Sequence, residues 1–293
     1  MKIVVRMRGG LGNQLFILAY AYALANRIPK KTEIVLDPRE YETFKLRNFE
    51  ILELVKDPDL RLWNDETDCS RYYDLSRKAF HIAQRVIRKE TGSIRWLSKA
   101  GLYYGRRNAA EYRITKRDTA YVYGYFQDER ITRQVRKEML DKMVFPETGE
   151  YKVDSCKAAI GVSVRCGQDY KDMGWPVCTA EYYRRGVELI REKKKLPADV
   201  PVYVFSDEPD IAKEMNIAPG AAIIRKLSGI QQLGLLRQCS DYVMANSSFS
   251  WWGAYLGHKE DSMVVFPRDW YEPGEKTTGT KLIYDNVVVS DIV

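Results

Sequence analysis

The sequence is poor in the residues that build metal centres and disulfide frameworks. It has 2 histidines, His81 and His258, and they lie far apart in no catalytic or metal-binding context. Its 5 cysteines are odd in number and form no C-x-x-C pair. These spacings argue against a zinc site, structural disulfides and histidine-dependent catalysis. We therefore expect reduced thiols and no metal ligands.

Long apolar runs are missing as well. No stretch reaches the roughly 20 residues needed to span a bilayer, and the first residues lack a basic region followed by an apolar core and a cleavage site. The sequence thus predicts a cytoplasmic protein. At 293 residues and 45% hydrophobic residues, the chain can bury a large core, and its length favours two domains over one.

The charge is unevenly distributed. A net charge of +7 is compatible with nucleic acid, an anionic membrane or a phosphorylated small molecule as partner. Residues 77–117 carry twelve Lys or Arg against only Glu90 and Glu111, with aromatic residues between them. Such a segment is typical of a peripheral membrane contact. A solvated helix face has the same pattern.

The N-terminal pattern is strand, glycine-rich turn and helix, at residues 2–7, 8–14 and 15–26. A dinucleotide-binding fingerprint needs glycine at position 15, which is Leu15, so that fingerprint is lacking. The glycines instead let the main chain approach another molecule closely. Alternatively, Asn13 caps the helix. The candidate substrate contacts in this turn are Gly10, Gly12, Asn13 and Gln14.

The rest of the first half predicts strands at residues 33–37 and 120–126 and helices at 75–88 and 127–143, with irregular structure and short helical pieces over 46–62. Phe145 to Gly149 then interrupts the pattern with Pro and Gly in a polar stretch. This is the candidate linker, and it divides the chain into domains 1–149 and 150–293.

The second half alternates strands and helices with short connections, which is typical of a parallel α/β sheet. Predicted strands cover residues 158–164, 202–205, 222–224, 242–245 and 263–266, and predicted helices cover 179–194, 209–215, 230–239 and 250–257. Ligands of such sheets bind at the carboxyl ends of the strands, so the residues that follow each strand are the candidates for function.

Three strand ends carry polar clusters, at residues 163–170, 206–208 and 246–248, and we expect them to converge. Arg165 stands beside Gly167, and its forked guanidinium suits phosphate oxygens. Alternatively, it is an ordinary surface arginine. Ser206 and Asp207 precede Pro209, so they either cap the next helix or, for Asp207, accept the N–H groups of a guanine edge.

Hydroxyl groups concentrate between the strand that ends at Ala245 and the aromatic helical pattern of residues 250–257. Ser247, Ser248 and Ser250 follow Asn246 there. Hydroxyls and unpaired N–H groups at the positive end of a helix suit a phosphate group. Alternatively, Ser247 or Ser248 only caps the helix.

These motifs resemble the α-1,2-fucosyltransferases, which transfer fucose from GDP-fucose to galactosides. The likeness spans nearly the whole chain through residues 8–16, 162–170 and 205–207, and most specifically through Asn246-Ser247-Ser248-Phe249-Ser250-Trp251-Trp252-Gly253. The family's H-x-R-R-G-D pattern is altered. Ser163 stands for its His and Cys166 for its second Arg, Gln168 is inserted before Asp169, and Arg165 is kept.

The resemblance implies an α/β, GT-B-like fold, with two α/β domains whose mainly parallel sheets face each other across a cleft. The C-terminal domain would hold GDP-fucose and the N-terminal domain the acceptor, a β-galactoside glycan. No cofactor, metal or nucleic acid is implied, and no D-x-D motif lies near a strand end. A different GDP-sugar transferase remains an alternative, as does a basic module that binds RNA or membrane.

The expected chemistry is an inverting displacement by the acceptor hydroxyl. Arg165, Ser247 and Ser248 would stabilise the charge that grows on the β-phosphate. Asp169 and Asp172 are the candidate bases, and Asp169 alternatively orders the Arg165 loop. The basic segment would suit a lipid-linked acceptor at the inner membrane face. The donor-side substrate contacts are predicted at Ser163, Ser206, Asp207, Asn246, Ser247, Ser248, Phe249 and Ser250.

Overall fold

The computed structural model describes residues 1–43, 45–63, 69–87, 97–105, 114–154, 156–175, 178–271 and 273–292. It divides into two compact units, Met1–Val144 and Phe145–Val293. The division lies at the start of the Pro- and Gly-containing stretch 145–149, whereas the domain boundary was predicted at its end.

The N-terminal unit is built on a parallel sheet, which has five strands among the described residues, in the order β3-β2-β1-β5-β4. The strands are β1 (Lys2–Arg6), β2 (Glu33–Asp37), β3 (Leu60–Leu62), β4 (Leu102–Gly105) and β5 (Thr119–Gly124). The central strand β1 pairs with β2 on one side and with β5 on the other. The strand order therefore reverses between β1 and β5, which is where open sheets bind ligands.

The helices of this unit are α1 (Leu11–Ala25), α2 (Glu40–Thr43), α3 (Ile51–Leu54), α4 (Ser70–Ile87) and α5 (Glu129–Lys142). Helix α1 begins at Leu11, so the start predicted at residue 15 is too late. From Gln14 to Leu24 every residue of α1 is buried, as expected for a helix that is apolar on all faces. Helix α5 is amphipathic and packs on α1 through residues such as Val135 and Met139.

Only part of the basic segment 77–117 is described. Helix α4 covers its beginning, and Arg77 and Lys78 are exposed on that helix. Residues 88–96 and 106–113, which carry most of the remaining basic residues, lie outside the described residues. Among the helices that are described, none combines the length and the apolar character needed to cross a membrane.

The C-terminal unit also contains a parallel sheet, with six strands in the described part of the chain, in the order β11-β10-β9-β6-β7-β8. The strands are β6 (Ile160–Val164), β7 (Val202–Ser206), β8 (Ala222–Ile223), β9 (Asp241–Met244), β10 (Val264–Phe266) and β11 (Val287–Val289). Strand β6 lies between β7 and β9, so the order reverses between β6 and β9.

Six helical segments flank this sheet in the described residues. They are α6 (Gln168–Asp172), α7 (Ala180–Lys194), α8 (Pro209–Glu214), α9 (Gly229–Leu236), α10 (Ser248–Gly257) and a 3₁₀ turn (Thr277–Gly279). Side chains from β6, β7, β9 and α7 form the main core on one face of the sheet. Helix α10 is buried along most of its length, including Trp251 and Trp252.

Candidate functional site

Three strand ends of the C-terminal unit meet at one edge of its sheet. Strand β6 pairs in register with β7 on one side and with β9 on the other. The loops that follow these strands begin at Arg165, Asp207 and Ala245. Because the order of the strands reverses between β6 and β9, this edge has the topology of a ligand site, as the sequence predicted.

Asp207 organises the loop that follows β6. Its carboxylate accepts the N–H groups of Cys166 and Gly167 at 3.1 and 2.8 Å. It also pairs with the guanidinium of Arg165. Both carboxylate oxygens thus accept hydrogen bonds from the protein, and these contacts do not fit the guanine contact considered for Asp207. Within the described residues Asp207 does not cap α8 either, because the N-cap is Glu208 and no side chain caps that helix.

Ser206 also forms a hydrogen bond with the neighbouring main chain. Its hydroxyl is buried and accepts the N–H group of Glu208 at 3.0 Å. The thiol of Cys166 lies 3.7 Å from the same hydroxyl. Burial raises the pKa of the Cys166 thiol above its ordinary value. The residue that replaces the family's second arginine therefore faces the interior as a neutral thiol.

Arg165 lies between two carboxylates. Its Nη2 is 2.7 Å from Asp169, and its Nη1 pairs with Asp207. The guanidinium also lies over the ring of Tyr170, 5.2 Å from the centroid. Two negative charges more than balance one positive charge, so Arg165 does not present the uncompensated cation that the sequence favoured. The alternative considered for Asp169, that it orders the Arg165 loop, agrees with these contacts.

Tyr170 joins this loop to the end of β9. Its ring is buried beneath Arg165, and its hydroxyl donates to the main-chain carbonyl of Asn246. Burial raises the pKa of this hydroxyl above its ordinary value, so the phenol keeps the proton that it donates. Arg165 and the residue before Ser247 therefore contact the same tyrosine.

The side chain of Asn246 is buried and forms hydrogen bonds within the protein. It is 1% exposed, and its Nδ2 donates to the carbonyl of Trp270 at 3.0 Å. Its Oδ1 accepts from the thiol of Cys178 at 3.6 Å. The amide that the sequence offered as a substrate contact instead holds the turn between β9 and α10.

The tip of α10 keeps the features of an anion site. Ser247 is the N-cap residue, yet within the described residues its side chain makes no capping hydrogen bond. Ser247, Ser248 and Phe249 are partly exposed. The first N–H groups of a helix have no intrahelical acceptor and lie at its positive end. The capping alternative is therefore wrong for Ser247, and Ser247 and Ser248, two of the residues predicted to face phosphate, are partly exposed.

Ser250 differs from its two neighbours. It is 1% exposed, and its hydroxyl shares a 2.7 Å hydrogen bond with the hydroxyl of Ser163, which is 3% exposed. This pair joins β6 to α10 inside the unit. The predicted substrate contacts at Ser163 and Ser250 therefore do not agree with where the structure puts these hydroxyls.

Asp172 lies at the last turn of α6. It is exposed, and Nε2 of Gln168 donates to it at 2.7 Å. Gln168, the residue inserted into the family pattern, thus holds one of the two candidate bases. The ion pair with Arg165 holds the other, Asp169. The assignment of a base to either residue stays a prediction.

Gln14 holds together the loops around the start of α1. It is fully buried, and its Nε2 donates to the carbonyls of Gly9 and Asn48 at 3.1 and 2.7 Å. Its Oε1 accepts the N–H groups of Glu50 and Ile51, both at 3.0 Å. All four hydrogen-bonding positions of the amide are filled. The substrate contact predicted for Gln14 does not fit this arrangement.

The glycine-rich turn is set by Gly9, which has φ +70° and whose added Cβ would lie 2.5 Å from Nδ2 of Asn13. Gly10 is the N-cap of α1, so the capping alternative for Asn13 is wrong. Oδ1 of Asn13 instead accepts from Gln127 at 2.8 Å. Gly10 and Gly12 lie at the start of α1, where no acidic residue or side-chain cap is present among the described residues.

A second polar cluster, which the sequence did not indicate, lies at the carboxyl ends of β1 and β2. Asp37 is fully buried and accepts from Nε and Nη2 of Arg39, both at 2.9 Å. Nε of Arg6 lies 3.5 Å away, and the hydroxyl of Tyr73 lies 3.2 Å away. A pocket of about 400 Å³ opens beside this cluster. Its residues are distant in sequence, so no local motif could have revealed it.

Metal ligation finds no support in the part of the chain that the structure describes, where no group of three His, Cys, Asp or Glu side chains could hold an ion. The independence of the reaction from metal stays a prediction.

Comparison with known proteins decides the family. The model of glycosyl transferase family 11 matches residues 2–281. The chain belongs to this family. The resemblance to the α-1,2-fucosyltransferases, with the enzyme class that it implied, is thereby confirmed.

Two Escherichia coli proteins are related to this family 11 enzyme along most of their length. The sequence is 25% identical to an alpha-1,2-colitosyltransferase over 93% of both chains. It is also 25% identical to the O-antigen biosynthesis glycosyltransferase WbnK, over 92% of this chain and 95% of WbnK. Both relatives are glycosyltransferases, so sugar transfer is the activity of the group.

Among solved structures, the fucosyltransferase NodZ from Bradyrhizobium is similar, with a TM-score of 0.52 and 16% identity over 87% of this chain and 93% of NodZ. A family 9 glycosyl transferase from Veillonella parvula aligns with a TM-score of 0.50 and 12% identity, covering 99% of this chain and 86% of that one. At these identities the likeness concerns the fold. It confirms the predicted GT-B-like α/β class.

Proposed function

We propose that this family 11 enzyme transfers L-fucose from GDP-fucose to the 2-hydroxyl of a β-galactoside in a glycan. The family membership supports a fucosyltransferase-type reaction. The name of the E. coli relative at 25% identity describes transfer through an α-1,2 linkage. NodZ, which shares the fold, has been studied with GDP-fucose and with GDP.

The observation that carries the proposal is the tip of α10, which has no side-chain cap among the described residues and lies beside the Tyr170–Asn246 junction. The donor diphosphate would accept hydrogen bonds from the first N–H groups of α10 and from Ser247 and Ser248. As the sugar leaves, negative charge grows on the β-phosphate, and donors already aimed at it lower the barrier. The acceptor hydroxyl attacks the anomeric carbon from the opposite side, so a β-linked donor gives an α-fucoside.

In this proposal Arg165 acts mainly by shaping the site. Asp207 holds its Nη1 group, Asp169 holds its Nη2 group, and its planar face lies on Tyr170. The guanidinium thereby fixes the loop after β6 at the edge where the diphosphate would lie. The diphosphate charge is then met largely by helix dipole and hydroxyl donors rather than by a cation.

A second candidate is transfer of a different GDP-linked sugar, and the relationship to the colitosyltransferase favours it. Colitose is fucose without the 3-hydroxyl group. Discrimination between the two donors would rest on hydrogen bonds to that hydroxyl, because a site built to bind a hydroxyl rejects an analogue that lacks it.

We further propose that the acceptor glycan is presented at a membrane. A glycan carried on a lipid at the inner membrane face would place the substrate near the basic segment 77–117, whose described part includes the exposed Arg77 and Lys78. Vesicles containing anionic lipid should then bind the protein with an affinity that falls as salt rises.

The decisive experiment incubates the purified protein in EDTA with GDP-fucose or GDP-colitose and lactose as the β-galactoside, and determines the linkage of the product by NMR. An α-1,2-fucosylated product supports the proposal, and a product formed only from GDP-colitose supports the second candidate. GDP should raise the melting temperature without added metal. The absence of any product and of any GDP effect would overturn the proposed donor.

A further inference from the structure

The pocket of the N-terminal unit lies at the point where the strand order of its sheet reverses. Arg6 ends β1, Arg39 and Glu40 follow β2, and Tyr123 lies near the end of β5. The first turn of α4 closes another side of the pocket with Ser70. Its volume of about 400 Å³ falls within the range of small-molecule pockets, about 300 to 1,000 Å³.

The floor of the pocket is held rigidly by Asp37. Two nitrogens of Arg39 bind this carboxylate at 2.9 Å, and Nε of Arg6 lies 3.5 Å from it. Nη2 of Arg6 also donates to the Ser70 hydroxyl at 3.0 Å. Burial alone would raise the pKa of Asp37, but hydrogen bonds from Arg39 and the two positive charges outweigh it and hold that pKa below its ordinary value. The two guanidinium groups are therefore fixed before any ligand arrives.

The charges around the pocket nearly cancel. Asp37 offsets one of the two floor arginines, and the rim carries carboxylates at Glu40, Glu42 and Asp74. Glu40 is 3.0 Å from Nε of Arg8, and Asp74 pairs with Arg77 at 3.1 Å. A phosphate or carboxylate ligand would meet the rim carboxylates first. The arrangement therefore favours a neutral ligand that can both donate and accept hydrogen bonds.

The walls add aromatic surface. The Tyr73 ring lies under the guanidinium of Arg6, 4.6 Å from the centroid, and the Tyr123 hydroxyl accepts from Arg8 at 3.0 Å. Tyr123 is partly exposed to the pocket. Fixed charged donors, carboxylate acceptors and an aromatic surface together match a pyranose ring, which presents hydroxyls at its edge and C–H groups on its faces.

We propose that this pocket binds a neutral sugar ring of the acceptor glycan and that its rim carboxylates exclude acidic sugars. The inference rests on the proposed function, because it takes the acceptor to be a glycan. Arg6, Arg39 and Tyr123 bind the neutral ring, and Glu42 and Asp74 repel a ring that carries a carboxylate.

The first test measures occupancy without turnover. Saturation-transfer NMR with methyl β-D-galactopyranoside, in the presence of GDP, should show binding to the wild-type protein. Thr43 is an exposed residue of the rim, so Thr43→Trp fills the opening with little risk to the fold. We expect this variant to weaken the galactoside signal about tenfold while GDP still raises its melting temperature as in the wild type. A galactoside signal equal to that of the wild type would overturn the inference.

The second test addresses charge. Wild type should bind methyl β-D-galactopyranoside more tightly than the matching galacturonoside, which differs by a carboxylate at C6. Glu42→Gln with Asp74→Asn should reduce this preference severalfold, because two of the three rim carboxylates are removed. The matched control is Glu53→Gln with Asp59→Asn, two exposed carboxylates outside the pocket lining, which should leave the preference unchanged.

These results separate the two proposals. Both tests measure sugar binding without turnover. A galactoside signal that is lost in Thr43→Trp therefore supports binding of the sugar in the pocket, even if GDP-fucose is not the donor. Conversely, an α-1,2-fucosylated product together with a preference that the rim variant leaves unchanged would uphold the proposed function and reject the selectivity.

Discussion

The hydroxyl of Tyr170 donates a hydrogen bond to the main-chain carbonyl of Asn246, which connects the loop after β6 to the turn before α10. The two residues are 76 positions apart in the sequence. Because the same ring supports Arg165, this single side chain links both elements of the proposed diphosphate site. We expect the shape of the proposed site to depend on this link.

Tyr170→Phe should therefore weaken both stability and donor binding. The change keeps the ring under Arg165 and leaves a buried carbonyl unpaired, which costs about 1–3 kcal/mol. We expect urea unfolding to show that loss and the KM for GDP-fucose to rise with little change in the acceptor KM. Tyr203→Phe is a matched control, since Tyr203 donates to the Lys152 carbonyl at 3.2 Å in an exposed setting. Equal effects of the two changes would contradict the link.

Two serines at helix starts should behave in opposite ways. Ser247 makes no cap on α10 among the described residues, whereas Ser228 caps α9 through the N–H group of Gln231 at 3.2 Å. Ser247→Ala should leave unfolding within about 0.5 kcal/mol of wild type and lower kcat by roughly 10²-fold. Ser228→Ala should cost about 1 kcal/mol of stability and leave kcat unchanged. Loss of stability without loss of rate in Ser247→Ala would reverse the assignment.

The ion pair between Arg165 and Asp169 leads to a prediction about pH. A carboxylate held at 2.7 Å by a guanidinium is poorly placed to accept a proton from the acceptor. Asp169→Asn should therefore keep the acidic limb of the pH–rate profile, although the loss of the charged partner of Nη2 of Arg165 should lower the rate. A profile without that limb would restore Asp169 as the base.

Arg165→Ala should be more damaging than Asp169→Asn. It leaves Asp169 and Asp207 near each other without their shared cation, and it removes the group that covers Tyr170. We expect a fall in kcat of about 10²-fold or more, with a lower unfolding free energy. Near-normal turnover in a folded variant would remove Arg165 from the site.

Gln14→Leu should destabilise the N-terminal unit strongly. The substitution leaves the buried N–H group of Ile51 and the partly buried N–H group of Glu50 without their acceptor, and an unpaired buried group costs about 1–3 kcal/mol. Gln134→Leu is the control, because Gln134 is an exposed residue that donates to the Arg130 carbonyl on α5. The free energy of unfolding in urea should be several kcal/mol lower for Gln14→Leu than for Gln134→Leu. If Gln14→Leu is as stable as the control, the amide does not hold the loops.

Much of the fold was readable from local pattern. The alternation of the second half predicted the elements from β6 to β10 except the five-residue helix α6, because each buried strand is a short apolar run and each longer helix has its own period. The short strands β3, β4 and β11 were missed. Each is only three or four residues long. In addition, β4 lies inside the basic segment, so the local composition did not indicate a strand there.

The convergence of the polar strand ends was predicted correctly, whereas the contacts of their side chains were predicted only in part. Strand ends of a parallel sheet must share one edge, so the sequence by itself determined that Arg165, Asp207 and Ser247 belong to one region. The serine-rich turn before an aromatic helix likewise predicted the tip of α10.

Only the tertiary structure decided which polar groups face the protein and which face outward. Asp207 and the buried hydroxyl pair of Ser163 and Ser250 satisfy partners 40 to 87 positions away in the chain. A buried donor or acceptor must find a partner, and packing selects that partner after the elements have come together. The sequence could supply the chemistry of these side chains, but their role depended on distances that no local pattern contains.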